Sequence, residues 1–308
     1  MARELVADPV ARYVEGREFR LVVGDERPLS SAGEAFDTID PSTGRVLTAV
    51  PSATREDVAR AVAAAKAAQP AWAGLGVRGR REVFLRLAAA IEERAEEFAM
   101  LDAIDGGNPY AAMLVDVRIS IQSLHDWPAL ALALNGQTIP EASPGNLHYT
   151  RFEPYGVVGR IVPFNHPVMF AITRVLPALI AGNTVVLKPA EQTPLSALAF
   201  GEIAAEVLGP GVLNVVKGGS EAGDALVTHA DVKRIAFTGS VPTAMRIQQR
   251  AAAFGIKHLS FELGGKNAMI VFPDVDVEDA VDGAIEGMNF VVCQGQSCGS
   301  NSRVFVHD

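Results

Sequence analysis

Gly156-Val157-Val158-Gly159-Arg160-Ile161-Val162-Pro163-Phe164-Asn165-His166-Pro167 decides how the rest of this chain reads. Its β-branched run predicts a strand over residues 157–162. The polar turn after it leads into an apolar helical stretch over 168–180. The alternation then repeats. Strands are expected at 184–187, 212–216, 234–237 and 268–271, and helices at 195–207, 220–228 and 241–254. Repeated βα units need crossover connections, which predicts a parallel sheet with helices on both faces.

Upstream of this core, residues 1–51 read as short strands and turns, with Asp40-Pro41-Ser42-Thr43-Gly44 as a turn. Ser52-Ala53-Thr54-Arg55-Glu56-Asp57 resembles a helix start, and helical spacing continues to about Leu134. Asn135-Gly136 marks a turn into a hairpin over 137–151. Downstream, a helical pattern over 277–288 precedes the last motif, and a β-prone run over 302–306 follows it.

A net charge of −9 argues against nucleic acid as a partner, because phosphate binding needs a basic patch. Arg78, Arg80 and Arg81 read as the solvated start of a helix. The two cysteines, Cys293 and Cys298, are too few for a disulfide framework. The first residues hold no secretory core, and no apolar run spans a membrane, since 169–180 is broken by Arg174 and Pro177. The expectation is a cytoplasmic protein without membrane association.

Ligands of open parallel sheets bind beyond the carboxyl ends of the strands. Three polar clusters fall at such ends: Pro163-Phe164-Asn165-His166, Lys188-Pro189-Ala190-Glu191 and Thr238-Gly239-Ser240. The G-x-G-x-x-G dinucleotide fingerprint is absent. Gly239-Ser240 suits phosphate at a helix N-terminus, or an ordinary cap. Lys188 and Glu191 suit ribose hydroxyls, or a surface loop. Glu262, read as a carboxylate after a strand, precedes Gly264-Gly265. Cys298 lies among small residues and Cys293 behind an apolar run, where packing is its expected role.

Two other chemistries are set aside. Gly295-Gln296-Ser297-Cys298-Gly299 fits the G-x-S-x-G of serine hydrolases, but a helix precedes it, a strand follows, and only His307 and Asp308 remain downstream, in the wrong order and with no structure between them. The six histidines are scattered without metal-ligand spacing, so no metal site is expected.

Together these motifs resemble the aldehyde dehydrogenase superfamily. Glu262-Leu263-Gly264-Gly265-Lys266 is similar to its general-base motif and Gly295-Gln296-Ser297-Cys298 to its nucleophile motif, with Ser302-Arg303 closing it. The other clusters, Asn135-Gly136-Gln137-Thr138-Ile139-Pro140 and the turn at Asp40–Gly44 follow in the family's order. The resemblance implies an α/β fold: a Rossmann-like cofactor domain over 1–136 and 152–262, a β-hairpin oligomerisation arm over 137–151, and the start of a second α/β catalytic domain over 263–308. It further implies oxidation of a small-molecule aldehyde to a carboxylic acid by a homo-oligomer. Cys298 would be the nucleophile, Glu262 the base, and the Asn165 side chain with the Cys298 backbone N–H the oxyanion donors. NAD rather than NADP would be held by Val162, Pro163, Phe164, Lys188, Glu191, Gly239, Ser240 and Leu263. His166 stands where the family more often has a bulky apolar residue. The chain ends soon after Cys298, so the alternative expectation is a catalytically incomplete NAD-binding or interaction fragment of the same family.

Overall fold

The computed structural model describes residues 8–140 and 143–307. It opens with helix α1 (Pro9–Tyr13), where the sequence predicts only strands and turns. The Asp8 carboxylate accepts from the Val10 N–H at 3.0 Å, and Pro9 suits the first helical position, so two residues start a turn too short for periodicity to register. Strands β1 (Ala35–Ile39) and β2 (Val46–Pro51) form an antiparallel hairpin. In its turn Asp40 accepts from the Ser42 N–H and from the hydroxyls of Ser42 and Thr43.

Four helices follow: α2 (Arg55–Gly74), α3 (Gly76–Glu92), α4 (Ala95–Gly106) and α5 (Tyr110–Ala131). The short antiparallel pair β3 (Thr138–Ile139) and β4 (His148–Tyr149) stands apart from the other sheets. The expected alternation then runs as β5 (Val157–Ile161), α6 (Pro167–Thr173), α7 (Leu176–Ile180), β6 (Thr184–Lys188) and α8 (Leu195–Leu208). It continues through β7 (Leu213–Val215), α9 (Ser220–Thr228), β8 (Val232–Gly239), α10 (Val241–Phe254) and β9 (His258–Leu263). The five strands make one parallel sheet in the order β7-β6-β5-β8-β9.

Alternation along each strand divides the interior in two. Val185 and Leu187 of β6 join a cluster with α3 to α8, whereas Val186 between them joins one with α2, α9 and α10. Helices thus cover both faces, as the βα repeat predicts. At Gly159 on β5 a Cβ would lie 2.6 Å from Ile235 Cδ1 and 3.1 Å from Leu226 Cγ, so a larger residue would displace the side chains packed over the strand. From β5 the chain builds outward to β7 and then returns to place β8 on β5's other side. That reversal opens a crevice between the carboxyl ends of β5 and β8, where such sheets bind ligands.

Three expectations need correction. The helix expected over 168–180 is two, because Pro177 has no N–H to offer Thr173 and the turn breaks at Arg174–Val175. Glu262 is not in a loop after a strand; it is inside β9, in register opposite Thr238. The expected strand at 268–271 does not join the main sheet. As β10 (Asn267–Val271) it pairs in parallel with β11 (Asn301–Val306) in a separate ribbon, connected through α11 (Val277–Gly287) and α12 (Phe290–Cys293). Among the described residues no helix is long and apolar enough to cross a membrane.

Candidate functional site

The turn after β5 meets the segment carrying Cys298. Asn165 is half-buried, and its side-chain nitrogen donates to the Gln296 carbonyl oxygen at 2.8 Å. Its own carbonyl accepts from the Asn108 amide at 2.9 Å, which fixes the backbone beneath. A carboxamide nitrogen carries two protons, so one holds the loop and the second remains to point at a ligand. On the far side, the Asn267 amide donates to the carbonyls of Cys298 at 2.6 Å and Ser300 at 3.1 Å. Gln294 and Gly295 reach the loop through positive φ angles of 58° and 76°.

The two thiols differ as the sequence predicts. Cys298 is exposed, and Cys293 is fully buried. Burial pushes the Cys293 thiol up, away from thiolate. Glu262 is also exposed. The chain after it turns back toward the Cys298 loop: a Cβ on Gly265 would lie 3.8 Å from the Cys298 carbonyl oxygen. Fold and hydrogen bonds therefore bring the Asn165 turn, the Cys298 loop and the segment after Glu262 together.

Behind Asn165 lies an acidic interior. The Nδ1 of His166 is 2.6 Å from a carboxylate oxygen of Asp116, both largely buried. Asp102 and Asp105 of α4 accept from the backbone N–H groups of Val168 and Leu195, at 2.8 and 3.1 Å, capping α6 and α8. Burial raises both carboxyls, Asp102 to about 7 and Asp105 well above its ordinary value.

A cleft of about 580 Å³ opens between the sheet edge, α9 and α10. Lys188 and Glu191 line it, with an N–O separation of 3.7 Å. Burial lowers the Lys188 pKa, against the pull of Glu191. Ile161, Val227 and Ile247 supply apolar wall, and Ser220 and Thr243 supply hydroxyls. Glu191 and Phe164 also border a second hollow of about 450 Å³ that reaches Gln294 and Gln296 of the Cys298 loop.

The remaining expected cofactor residues sit around these spaces. Val162 is buried, its N–H donating to the Lys188 carbonyl, and Pro163 precedes the exposed Phe164. Gly239 and Ser240 do not line the cleft; Ser240 caps α10, accepting from the Thr243 N–H at 3.4 Å. Leu263 is half-buried against the core on the α10 side. Ser220, Thr243 and Arg246 line the cleft without having been singled out in the sequence. The signal for the first was Gly218-Gly219 opening α9: a Cβ on Gly219 would have Glu191 Oε1 at 3.9 Å, which places that turn on the cleft wall.

The chain belongs to the aldehyde dehydrogenase family, whose model matches residues 29–308. Aldehyde dehydrogenase tropH of Talaromyces stipitatus is 43% identical over 274 residues, covering 88% of this chain and 53% of that protein. The NAD+ complex of an aldehyde dehydrogenase from Bacillus cereus superposes with a TM-score of 0.92 at 39% identity, over 98% of this chain and 62% of the other. An NADP-dependent enzyme of E. coli gives 0.90 at 32% identity, over 94% and 60%. The chain thus spans between about half and three-fifths of the length of these relatives.

Proposed function

We propose that this chain carries the cofactor-binding and nucleophilic parts of an NAD-dependent oxidoreductase that converts an aldehyde to a carboxylic acid. The single observation that carries the reading is the 2.8 Å hydrogen bond from Asn165 to Gln296, which joins the turn at the sheet's crevice to the loop bearing an exposed cysteine. In this reading the Cys298 thiolate attacks the aldehyde carbon, and the free proton of the Asn165 amide, with the Cys298 N–H, steadies the oxyanion. Loss of hydride leaves a thioester on Cys298, and Glu262 takes a proton from the water that hydrolyses it.

The cleft suits the adenosine end of a dinucleotide. Its apolar walls match a purine, and the paired Lys188 and Glu191 match ribose hydroxyls. Glu191 borders both hollows, so a ligand seated there extends toward Phe164 and the reactive loop. When bound, the nicotinamide accepts the hydride. Glu191 and Glu221 on the wall favour NAD, since a 2′-phosphate would meet negative charge. Val162, Pro163, Gly239, Ser240 and Leu263 belong to this reading as supports of the crevice. Residues 1–136 with 152–262 form its cofactor part and 263–308 begin its catalytic part. The 137–151 arm, with exposed Leu147 and Tyr149, suits pairing with a second copy of the chain.

Aldehyde-dependent NADH formation by the purified chain tests the proposal. Loss of essentially all activity in Cys298→Ala supports it, and undiminished activity overturns it. A second reading, a binding fragment without turnover, is favoured by the partial span of the relatives. Calorimetric NAD binding without NADH formation would support that one.

A further inference from the structure

Arg160 presents a problem that the proposed chemistry leaves unused. It sits on β5, at the centre of the parallel sheet, and is only 8 % exposed. Its Nη2 donates to the Thr238 hydroxyl oxygen at 3.2 Å, while among the described residues Nε has no acceptor. A buried guanidinium without a paired anion is strongly unfavourable. Burial and then Arg174 lower its pKa to about 10, with Arg234 adding to them, and Glu262 is the acid that opposes all three.

Sheet register says where that acid stands. Arg160 is opposite Ala236 on β8; Thr238, two residues on, projects from the same face and is opposite Glu262 on β9. Arg160, Thr238 and Glu262 therefore form a row across three adjacent strands spaced about 4.8 Å apart. Having accepted from Arg160, the Thr238 hydroxyl has one proton left to donate, and its neighbour across the next strand is a carboxylate. Glu262 is exposed, and among the described residues no hydrogen bond holds its carboxylate.

We propose that Arg160 is a positioning residue for Glu262, acting through Thr238: when the carboxylate rotates over the sheet face it accepts from the Thr238 hydroxyl and faces the guanidinium. The row gives the buried cation its counter-charge and gives the base a defined resting orientation, from which it turns to the thioester. The inference rests on the reading of Glu262 as the general base.

Two measurements test it. In urea unfolding of wild type, Arg160→Met, Glu262→Gln and the double variant, the midpoint shifts are expected to be clearly non-additive, with the double variant less destabilised than the sum. Strict additivity overturns the pairing. In rapid kinetics, Arg160→Met and Thr238→Val are expected to keep the NADH burst while steady-state turnover falls about tenfold, a fraction of the ~10²–10⁴ a general base contributes. Arg160→Lys is expected to restore most of it and to serve if the Met variant does not fold. Burst and steady state falling together, with no rescue by lysine, would mean that Arg160 only supports the fold. The unfolding cycle needs no turnover. A chain that makes no NADH would therefore overturn the enzymatic reading while the cycle still decides the row.

Discussion

One amide proton of Asn165 fastens the reactive loop and the other is free, so a change at this residue acts twice. On the proposed mechanism, Asn165→Ala should lower kcat by about 10²–10³ through loss of an oxyanion donor, and the loosened loop should show as faster alkylation of Cys298. Normal kcat would remove Asn165 from the mechanism. Glu191 predicts a different outcome. On the proposed preference for NAD, Glu191→Gln should narrow the NAD to NADP ratio by about tenfold, as loss of one charge contact of about 1.4 kcal/mol would, read from kcat/KM with each cofactor. An unchanged ratio would place the discrimination elsewhere. Asn165, Lys188 and Glu191 were legible in the sequence because polar residues directly after an apolar strand are anomalous there. Ser220 and Thr243 were not, since hydroxyls in the first turn of a helix are expected as caps whether or not a ligand lies nearby.

At the scale of the element, helix α2 shows how local chemistry fixes a boundary. The Thr54 hydroxyl oxygen accepts from the Asp57 N–H at 3.2 Å, and Asp57 returns the contact to the Thr54 N–H at 3.0 Å. Asp57 also takes bonds from the Ser31 N–H and hydroxyl, tying the loop before β1 to the helix. Thr54→Ala should therefore cost about 1 kcal/mol in urea unfolding. Asp57→Ala should cost more, because the buried Asp57 carboxylate also holds the Ser31 N–H and hydroxyl, and those contacts are lost as well. Equal effects would mean that the Ser31 contacts contribute nothing. The Thr54 start was legible because it depends on neighbours in sequence. The strand before Glu262 is expected to stop short of it although His258-Leu259-Ser260-Phe261-Glu262-Leu263 alternates cleanly to its end, since the glycines beyond draw attention to the turn. Whether β10 joins the main sheet or pairs with β11 was not legible at all. That choice depends on partners more than thirty residues apart, which no local pattern encodes.

For the whole molecule, the carboxyls buried in α4 set how stability responds to pH. Burial raises Asp102 to about 7, so the folded protein keeps a proton that the unfolded chain releases near 4. The sign follows: this group's contribution is fully present below about 4, falls as pH rises to about 7, and is level beyond. Asp102→Asn should remove that slope, so the variant gains on wild type by up to a few kcal/mol between those limits. Unfolding midpoints across the range test this, and parallel curves for the two proteins would contradict it. The ribbon of β10 and β11 differs from this sealed interior: Ile270, Phe305 and Val306 stand exposed on it.

The ribbon's first residue has a consequence for chemistry. Asn267 begins β10 and its side chain grips the backbone on either side of Gly299, so the Cys298 loop is stitched to that ribbon on one side as Asn165 stitches it to the turn after β5 on the other. Any force on the ribbon, from a neighbouring polypeptide or from crowding against its oily flank, reaches Cys298 through that carboxamide and through the chain that runs from Ser300 into β11. Reactivity at Cys298 should then track how firmly the ribbon is clasped, even when every group around the carbonyl is unchanged.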